Sequence, residues 1–296
     1  MLMRSWLFVP GNHERRLEKS KQTAADVVIV DLEDAVPVRE KERAREMARA
    51  HLASRGPAPV FVRVNALTTR WCHDDVRELA AAGPAGIMLP KADGKDAVAE
   101  LDGWLSAREA ELGLVPGSIR IVPLIETALG LHRAYEIAAA SPRVLCLAFG
   151  SLDFCNDVGI RPGEGEPELL YARSQLAVAS RAAGVGAPVD TVYANVRDAD
   201  GLARQARLAR NCGFGGKLCI HPDQAPVVNS VFSPTPAEIE EAERIVAAYE
   251  AALAAGEGAI QLDGKMIDVP VAERARKIVA MSRLMEQRAK DGRSGE

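Results

Sequence analysis

IRIVPLIE (residues 119–126) and VLCLAFG (144–150) are two short apolar runs that decide the fold class of this chain. Continuous apolar runs of this length are typical of parallel strands that are covered on both faces. The first run ends in Glu126, and Asp153 follows the second run within three residues. In a barrel of alternating strands and helices, the C-terminal ends of the strands face the active site. Two carboxylates at such ends favour a divalent cation with oxygen ligands.

Six further apolar runs lie along the chain, and each is followed by a helix-like segment. They are SWLFV (5–9), VVIVDLE (27–33), PVFVRV (59–64), GIMLPK (86–91), PVDTVY (188–193) and KLCIHP (217–222). Alternation of strands and helices indicates parallel βαβ units. Eight such units predict an α/β fold, a closed (β/α)₈ TIM barrel. The alternative is an open doubly wound sheet, but no G-x-G-x-x-G follows the first strand.

The pattern changes near residue 233, where the strand–helix units end. Thr235 with Glu238 three residues later predicts a capping box at the start of a helix. A short segment, AIQLDGKMIDVP (259–270), contains an Asp-Gly hairpin signal and precedes the last helix. We therefore predict a catalytic barrel over residues 1–232. We assign residues 233–296 to C-terminal helices and a lid segment, which either caps the barrel or packs on a neighbouring subunit.

Composition excludes several classes of protein. The formal net charge of −4 argues against a nucleic-acid surface, which usually needs a basic domain. No apolar stretch approaches the roughly 20 residues that span a bilayer, and the N-terminus lacks the features of a signal peptide. The five cysteines form no CxxC pair, which indicates reduced thiols. We therefore expect a cytoplasmic protein that binds neither nucleic acid nor membrane.

Polar residues stand at or near the ends of several other predicted strands. They are Asp31, Glu33, Asp34, Arg63, Asn65, Lys91, Asp190 and His221. Each one taken alone could be a helix cap or a solvated loop residue. Taken together, they indicate a site at the C-terminal end of the barrel.

Arg63 lies inside an otherwise apolar strand, VFVRV (60–64). A buried guanidinium needs an anionic partner. The partner could be one of the strand-end carboxylates, which would make Arg63 part of a structural ion pair. It could equally be a substrate carboxylate or a developing oxyanion, which a guanidinium can hold with two hydrogen bonds.

Three carboxylates fall within four residues in DLEDAV (31–36), namely Asp31, Glu33 and Asp34. They cannot all be ionised cheaply in a closed pocket, so metal, arginine or water must neutralise them. One could support a metal-bound water and another could pair with Arg63, but the spacing does not assign them. Few histidines and no paired cysteines disfavour zinc. Oxygen ligands favour Mg²⁺, with Mn²⁺ as a substitute.

The turn after the first strand opens a basic helix that contains Arg16 and Lys19. A helix N-terminus with nearby Arg and Lys side chains can hold a phosphate group. The alternative is a solvated helix face, and the absence of a Walker signature leaves both interpretations open.

Nine segments of the chain resemble the HpcH/HpaI aldolase and citrate lyase β-subunit family. They are RSWLFVPGN (4–12), DVVIVDLEDAV (26–36), VRVN (62–65), GIMLPK (86–91), PLIETALG (123–130), LAFGSLDF (147–154), PVDTVY (188–193), GFGGKLCIHPDQ (213–224) and GKMIDVP (264–270). The segments follow the order of the family and cover nearly the whole chain. They are most similar to the branch that acts on acyl-CoA thioesters.

The resemblance implies a Mg²⁺-dependent carbon–carbon lyase that is usually a trimer or a dimer of trimers. Its substrates would be 3-hydroxyacyl thioesters such as citryl-, malyl- and citramalyl-CoA, and its products an acyl-CoA and a 2-oxo acid. By position, Glu126 and Asp153 match the metal ligands of the family, and Arg63 matches the arginine that holds the substrate oxygen. Glu33 and Asp34 match the acidic motif near the metal-bound water.

The resemblance also assigns residues outside this cluster. Asp268 matches an aspartate of a C-terminal segment that covers the active site of a neighbouring subunit, where it would protonate or deprotonate the enolate carbon. Arg4, Arg16 and Lys19 match positions that contact CoA. Two other functions stay open: the β subunit of a citrate lyase complex acting on a citryl-acyl-carrier protein, and an aldolase acting on free 2-oxo acids.

Overall fold

The computed structural model describes residues 2–293 of the chain. The described residues divide into two compact units. Residues 3–232 form the first unit, and the residues from 233 onwards, together with Leu2, belong to the second.

The first unit contains a closed barrel of eight parallel strands in sequential order. The strands are β1 (Ser5–Pro10), β2 (Val27–Asp31), β3 (Val60–Arg63), β4 (Gly86–Leu89), β5 (Arg120–Ile125), β6 (Cys146–Phe149), β7 (Gly186–Asp190) and β8 (Gly216–Cys219). β8 pairs with β1 through Ser5 and Lys217, which closes the sheet. The predicted (β/α)₈ barrel is confirmed, and the open doubly wound sheet is excluded.

Helices connect the strands and surround the barrel. They are α1 (Glu14–Ser20), α2 (Lys41–Ala53), α3 (Cys72–Ala80), α4 (Lys95–Leu112), α5 (Ala128–His132), α6 (Ala134–Ala138), α7 (Ser151–Val158), α8 (Leu170–Ala182), α9 (Ala199–Asn211) and α10 (Gln224–Phe232). Short 3₁₀ turns at Val38–Glu40 and Pro167–Leu169 precede α2 and α8. A large cluster of Val, Leu, Ile and Ala side chains fills the layer between the strands and the helices, as the aliphatic composition requires.

A second apolar cluster fills the inside of the barrel. Trp6, Phe61 and Met88 pack there, and the ring centroids of Trp6 and Phe61 lie 5.0 Å apart. Gly86 makes room for this packing, because a Cβ atom at that position would lie 2.4 Å from Cε1 of Phe61. These large side chains come from the early and middle parts of their strands, so the interior is closed there and remains open at the C-terminal ends.

The strand register brings the predicted site residues side by side. Asp31 of β2 pairs with Arg63 of β3 across the parallel ladder. In a parallel ladder, side chains of paired residues point to the same face of the sheet. The acidic end of β2 and the arginine of β3 therefore meet at one rim of the barrel.

The second unit contains α11 (Pro236–Ala254), a hairpin of β9 (Ile260–Leu262) and β10 (Lys265–Ile267), and α12 (Val269–Arg293). The predicted capping box is present: the Glu238 N–H donates to Thr235 Oγ1, and the Thr235 N–H donates to Glu238 Oε2. The predicted hairpin turn is also confirmed, with Asp263 and Gly264 both at positive φ. Across residues 2–293, we find no helix with the length and apolar character needed to cross a membrane.

Candidate active site

A cavity of about 460 Å³ opens at the C-terminal ends of the barrel strands. Its polar wall contains Arg16, Asp31, Asp34, Arg63, Glu126, Asp153 and Thr191. Its apolar wall contains Phe8, Leu124, Val192 and Leu218, among others. Residues that are far apart in the sequence are thus brought to one place, as the strand-end argument predicts.

Glu126 and Asp153 reach this cavity from adjacent strands. Glu126 follows β5 directly and is 2% exposed, and its Oε1 accepts a hydrogen bond of 2.8 Å from the backbone N–H of Lys91. Asp153 lies in the first turn of α7, the helix that follows β6. Gly150 allows the chain to pass close to Glu126, because a Cβ atom at Gly150 would lie 2.7 Å from Glu126 Oε2.

The carboxyl group of Glu126 is in an environment that disfavours its negative charge. Burial raises the pKa of Glu126 to about 8, and the negative charges of Glu33 and Asp153 act in the same direction. The N–H of Lys91 and the charge of Arg63 act in the opposite direction but do not offset burial. A cation bound at this carboxylate would favour its ionised form, since opposite charge stabilises the anion.

Arg63 is held by the acidic end of β2. Its Nε and Nη2 donate to the two carboxylate oxygens of Asp31, each at 2.7 Å, and its Nη1 lies 3.0 Å from Glu33 Oε2. Its guanidinium carbon also lies 4.9 Å from the ring centroid of Phe8. Burial alone would lower the pKa of Arg63, but the charges of Asp31, Glu33 and Asp34 outweigh it and raise the pKa. The guanidinium is therefore always charged and fixed in one plane.

Lys91 joins two of the acidic residues of the site. Its Nζ donates to Glu33 Oε1 at 2.5 Å, while its backbone N–H holds Glu126. Lys91 adopts a left-handed conformation with φ of 50°, which is uncommon for a residue other than glycine and costs energy. Burial raises the pKa of Glu33, although the positive charges of Arg63 and Lys91 oppose this effect. The sequence identifies Lys91 as a polar residue after β4, but it does not indicate the left-handed backbone conformation of Lys91.

A second cavity, of about 330 Å³, lies beside the first and shares Phe8, Pro10, Arg16 and Ile220 with it. Arg16 and Lys19 both line this second cavity. The structure thus brings together two of the three residues that the sequence assigned to CoA.

Arg4 does not belong to this set. It precedes β1 and therefore lies at the N-terminal end of the barrel, away from the strand ends that carry the site. Its guanidinium is buried and pairs with Asp26, with Nε 2.7 Å from Oδ2 and Nη2 3.0 Å from Oδ1. Its place in the fold conflicts with the sequence-based assignment of Arg4 to CoA binding, because a residue just before a strand and one just after it lie at opposite ends of the barrel.

Asp268 belongs to the second unit, where it immediately precedes α12. Its Oδ1 accepts a hydrogen bond of 3.2 Å from the Val271 N–H, and its carbonyl accepts one from the Ala272 N–H. Asp268 therefore caps the N-terminus of α12, which is a structural role. Its catalytic role remains a prediction.

The residues at the cavity fit Mg²⁺ bound by few protein ligands. Within residues 2–293, no group of three or more His, Cys, Asp and Glu side chains is placed to hold a metal ion. Mg²⁺ commonly takes only one or two carboxylates and completes its shell with water and substrate oxygens. Glu126 and Asp153 supply two carboxylates at one cavity. Glu33 Oε2 is buried and lies 3.0 Å from Arg63 Nη1 as an ion pair, but it accepts no hydrogen bond from the described residues.

The fold and the site together define an enzyme of the (β/α)₈ class, with acidic and arginine side chains converging at the C-terminal ends of the strands. The family model described as HpcH/HpaI aldolase/citrate lyase matches residues 4–222. The chain belongs to this family, which confirms the family and the lyase class predicted from the sequence.

Several relatives are similar over almost the whole chain. The chain is 36% identical to citrate lyase subunit beta of Leuconostoc mesenteroides subsp. cremoris over 95% of this chain and 93% of the relative. It is 33% identical to the mitochondrial citramalyl-CoA lyase of Mus musculus over 96% of this chain and 87% of the relative. A solved structure of the protein CitE from Mycobacterium tuberculosis, in complex with magnesium, acetoacetate and coenzyme A, has 32% identity and a TM-score of 0.77. That alignment covers 95% of this chain and 98% of the solved one.

Proposed function

We propose that this protein is a Mg²⁺-dependent carbon–carbon lyase that cleaves, or forms, a 3-hydroxyacyl-CoA thioester such as citramalyl-, malyl- or citryl-CoA. The products of cleavage would be an acyl-CoA and a 2-oxo acid. The observation that carries the proposal is that Glu126, Asp153 and Arg63 line one cavity at the C-terminal ends of the strands. The citramalyl-CoA lyase activity in the name of one relative, and the magnesium and coenzyme A bound to another, support the substrate class.

Glu126 and Asp153 would hold the metal ion, and Mn²⁺ would substitute for Mg²⁺. When bound, the ion supplies Lewis-acid polarisation of substrate oxygens and a template for their orientation. The set of oxygen donors suits either ion, since both prefer carboxylate, carbonyl and water ligands.

Arg63 would stabilise the negative charge that develops on the thioester oxygen as the carbon–carbon bond breaks. A fixed positive charge is effective here because it needs no reorganisation during the reaction. Asp31 fixes the plane of the guanidinium with two hydrogen bonds, and Glu33 contacts Nη1 and Lys91. Glu33 would thus orient Arg63 and fix Lys91 beside Glu126.

Asp268 would protonate the enolate carbon during cleavage, or remove its proton during condensation. We propose that it acts in the site of a neighbouring subunit of a homotrimer or hexamer. The support is its position in the GKMIDVP segment (264–270), which resembles the lid segment of the family.

The second cavity would receive part of the CoA moiety. Arg16 and Lys19 are exposed cations on its wall, and Arg16 also lines the main cavity. Positive charge that extends from one cavity to the next suits a substrate that has phosphate groups at one end and a thioester at the other.

The test is to incubate the full-length protein with Mg²⁺ and a panel of citramalyl-, malyl-, citryl- and methylmalyl-CoA. We expect one or more of them to give equal amounts of acyl-CoA and 2-oxo acid, and EDTA to stop the reaction. Full activity in EDTA would refute the metal-dependent mechanism. Release of free CoA thiol without a 2-oxo acid would instead identify thioester hydrolysis.

A second candidate is the β subunit of a citrate lyase complex acting on a citryl-acyl-carrier protein. The extensive similarity to a citrate lyase subunit beta favours it. Turnover of a citryl-acyl-carrier protein without turnover of any CoA thioester would support this candidate. An aldolase acting on free 2-oxo acids would give equal rates with the free acid and with its CoA thioester.

A further inference from the structure

Thr191 is a polar residue of the main cavity to which the proposed function gives no role. It follows β7 directly and lines the cavity with Glu126, Asp153 and Arg63. Its side chain is almost fully buried, with 1% of the residue exposed. A buried hydroxyl needs hydrogen-bond partners, so the partners of Thr191 indicate what it can still bind.

Thr191 shares its hydroxyl with Ser151, the first residue of α7. Thr191 Oγ1 accepts hydrogen bonds from the backbone N–H of Ser151 at 3.1 Å and from Ser151 Oγ at 2.8 Å. A hydroxyl has two acceptor lone pairs and one donor hydrogen, so both lone pairs of Thr191 are used.

One hydroxyl hydrogen of this pair is left over. Two hydroxyl groups that share a single O–H···O bond always leave one hydrogen without an acceptor from the pair. Ser151 Oγ donates the shared bond, so the spare hydrogen belongs to Thr191, and Thr191 lines the cavity whereas Ser151 does not. Among residues 2–293, no acceptor receives a hydrogen bond from the Thr191 hydroxyl.

The backbone of Thr191 is fixed by a buried ionic network. Its carbonyl accepts a hydrogen bond of 2.7 Å from Lys217 Nζ, which also donates to Asp190 at 2.7 Å. Arg173 Nε donates to the other oxygen of Asp190 at 3.0 Å. The side chains of Arg173, Asp190 and Lys217 are fully buried, so this network holds the backbone of Thr191 rigidly.

The acceptor that fits this hydrogen is a carboxylate oxygen of the substrate. Every proposed substrate has a carboxylate on the portion that becomes the 2-oxo acid. Arg63 is poorly placed to hold it with two hydrogen bonds, because its Nε and Nη2 are already bound to Asp31. Ser151 and Asp153 share the first turn of α7, so the Thr191 hydroxyl lies beside the turn that carries a proposed metal ligand.

We propose that Thr191 is a substrate-binding residue whose hydroxyl donates a hydrogen bond to the carboxylate of the 2-oxo acid portion. The proposal rests on the proposed function. It assigns a ligand contact to the PVDTVY segment (188–193), whose Asp190 takes part in the buried ionic network with Arg173 and Lys217.

The experiment measures binding of pyruvate, glyoxylate and oxaloacetate to the full-length protein in saturating Mg²⁺ by isothermal titration calorimetry. The central variant is Thr191→Val, which keeps the shape of the side chain and removes the donor. We expect it to bind the 2-oxo acids about tenfold or more weakly, as loss of a hydrogen bond to a charged group predicts. Thr191→Ser keeps the hydroxyl and should bind within about threefold of wild type, as expected for a retained hydrogen bond.

Two controls separate substrate binding from mere positioning of α7. Mn²⁺ affinity in the absence of an acid should be the same for Thr191→Val and wild type, because the hydroxyl of Thr191 is not a metal ligand. Ser151→Ala leaves the Thr191 hydroxyl and the Ser151 N–H in place, so it should retain 2-oxo acid affinity. If Thr191→Val does not fold, Thr191→Cys keeps the size with a weak donor and should show the same loss.

The inference would be overturned if Thr191→Val bound the 2-oxo acids as tightly as the wild-type protein does. So would an equal loss of Mn²⁺ affinity, which would make Thr191 a positioning residue only. If the wild-type protein itself binds none of the three acids, the proposed function fails, and this inference fails with it. Binding by wild type and equal binding by Thr191→Val would overturn the Thr191 assignment alone.

Discussion

Arg63 and Asp31 form a parallel pair of hydrogen bonds, Nε to Oδ1 and Nη2 to Oδ2, both of 2.7 Å. The two residues lie at the ends of β3 and β2 and face each other in register. The sequence left open whether Arg63 serves a structural ion pair or a ligand. Arg63 is ion-paired and also lines the cavity, so the pair with Asp31 supports a guanidinium that still faces the ligand space.

The first prediction concerns this pair. Arg63→Lys keeps the positive charge but cannot make two parallel hydrogen bonds, so the charge would no longer be held in place. We expect kcat for CoA-thioester cleavage to fall by about 100-fold or more, as for loss of a preorganised donor. Mn²⁺ affinity should not change. Steady-state kinetics and metal titration test this, with the exposed Arg39→Lys as the matched control. Near-normal kcat in Arg63→Lys would contradict the role.

The second prediction concerns the metal ligands. Mg²⁺ should raise the melting temperature of the wild-type protein, because a ligand that binds only the folded state stabilises it, by about 2.7 kcal/mol at 100 times its Kd. Glu126→Gln and Asp153→Asn should each abolish most of this shift and all metal-dependent turnover. Differential scanning calorimetry with and without EDTA measures the shift. The exposed Glu164→Gln serves as the control. If Mg²⁺ raised the melting temperature of both site variants as much as that of the wild type, the metal would bind elsewhere.

The third prediction tests the close approach of Gly150 to Glu126. The Cβ atom of Gly150→Ala would lie 2.7 Å from both Cβ and Oε2 of Glu126, so that carboxylate must move. We expect turnover to fall on the order of 100-fold, because displacement of a site group by about 1 Å can cost that much. Gly103→Ala is the matched control, since apart from the neighbouring backbone of α4 no heavy atom lies within 4 Å of its Cβ position. That change within α4 should stabilise the protein by about 0.5–1 kcal/mol and leave turnover unchanged.

Much of the arrangement of the site could be predicted from the sequence, because the ends of the strands can be located in it. Apolar runs locate the strands, and a parallel barrel sends all their C-terminal ends to one face. The amino-acid pattern alone therefore suffices to assign Glu126, Asp153 and Arg63 to one site. The same rule places Arg4 at the opposite end of the barrel, because Arg4 precedes β1.

Other features depend on distances that a sequence does not contain. The pairing of Asp31 with Arg63 needs the register of β2 and β3. The contact of Ser151 with Thr191 joins the start of α7 to the residue after β7, 40 residues further along the chain. The left-handed conformation of Lys91 has no signal in its side chain, because glycine or asparagine would be expected there. Tertiary contacts with Glu33 and Glu126 hold that conformation.

The fourth prediction concerns the pH dependence of stability, and it lies outside the active site. Glu109 is 1% exposed and receives hydrogen bonds from Arg143 Nη1 and Nη2, at 2.8 and 2.6 Å, and from the N–H groups of Gly117 and Ile119. Burial alone would raise its pKa, but these donors outweigh it and lower the pKa of Glu109 to about 2. The folded state therefore binds this proton less readily than the unfolded state does.

A depressed pKa in the folded state means that stability is present above the unfolded pKa and is lost as pH falls through the folded value. The contribution of Glu109 should be complete above about pH 5 and should disappear towards pH 2, with an upper limit of about 3 kcal/mol. Glu109→Gln should therefore be less stable than wild type at pH 7, and the difference should shrink as pH falls. Urea unfolding from pH 7 to pH 3 measures it, with the exposed Glu111→Gln as control. A difference that is constant over this range would mean that packing around Glu109, rather than its charge, stabilises the α4 region.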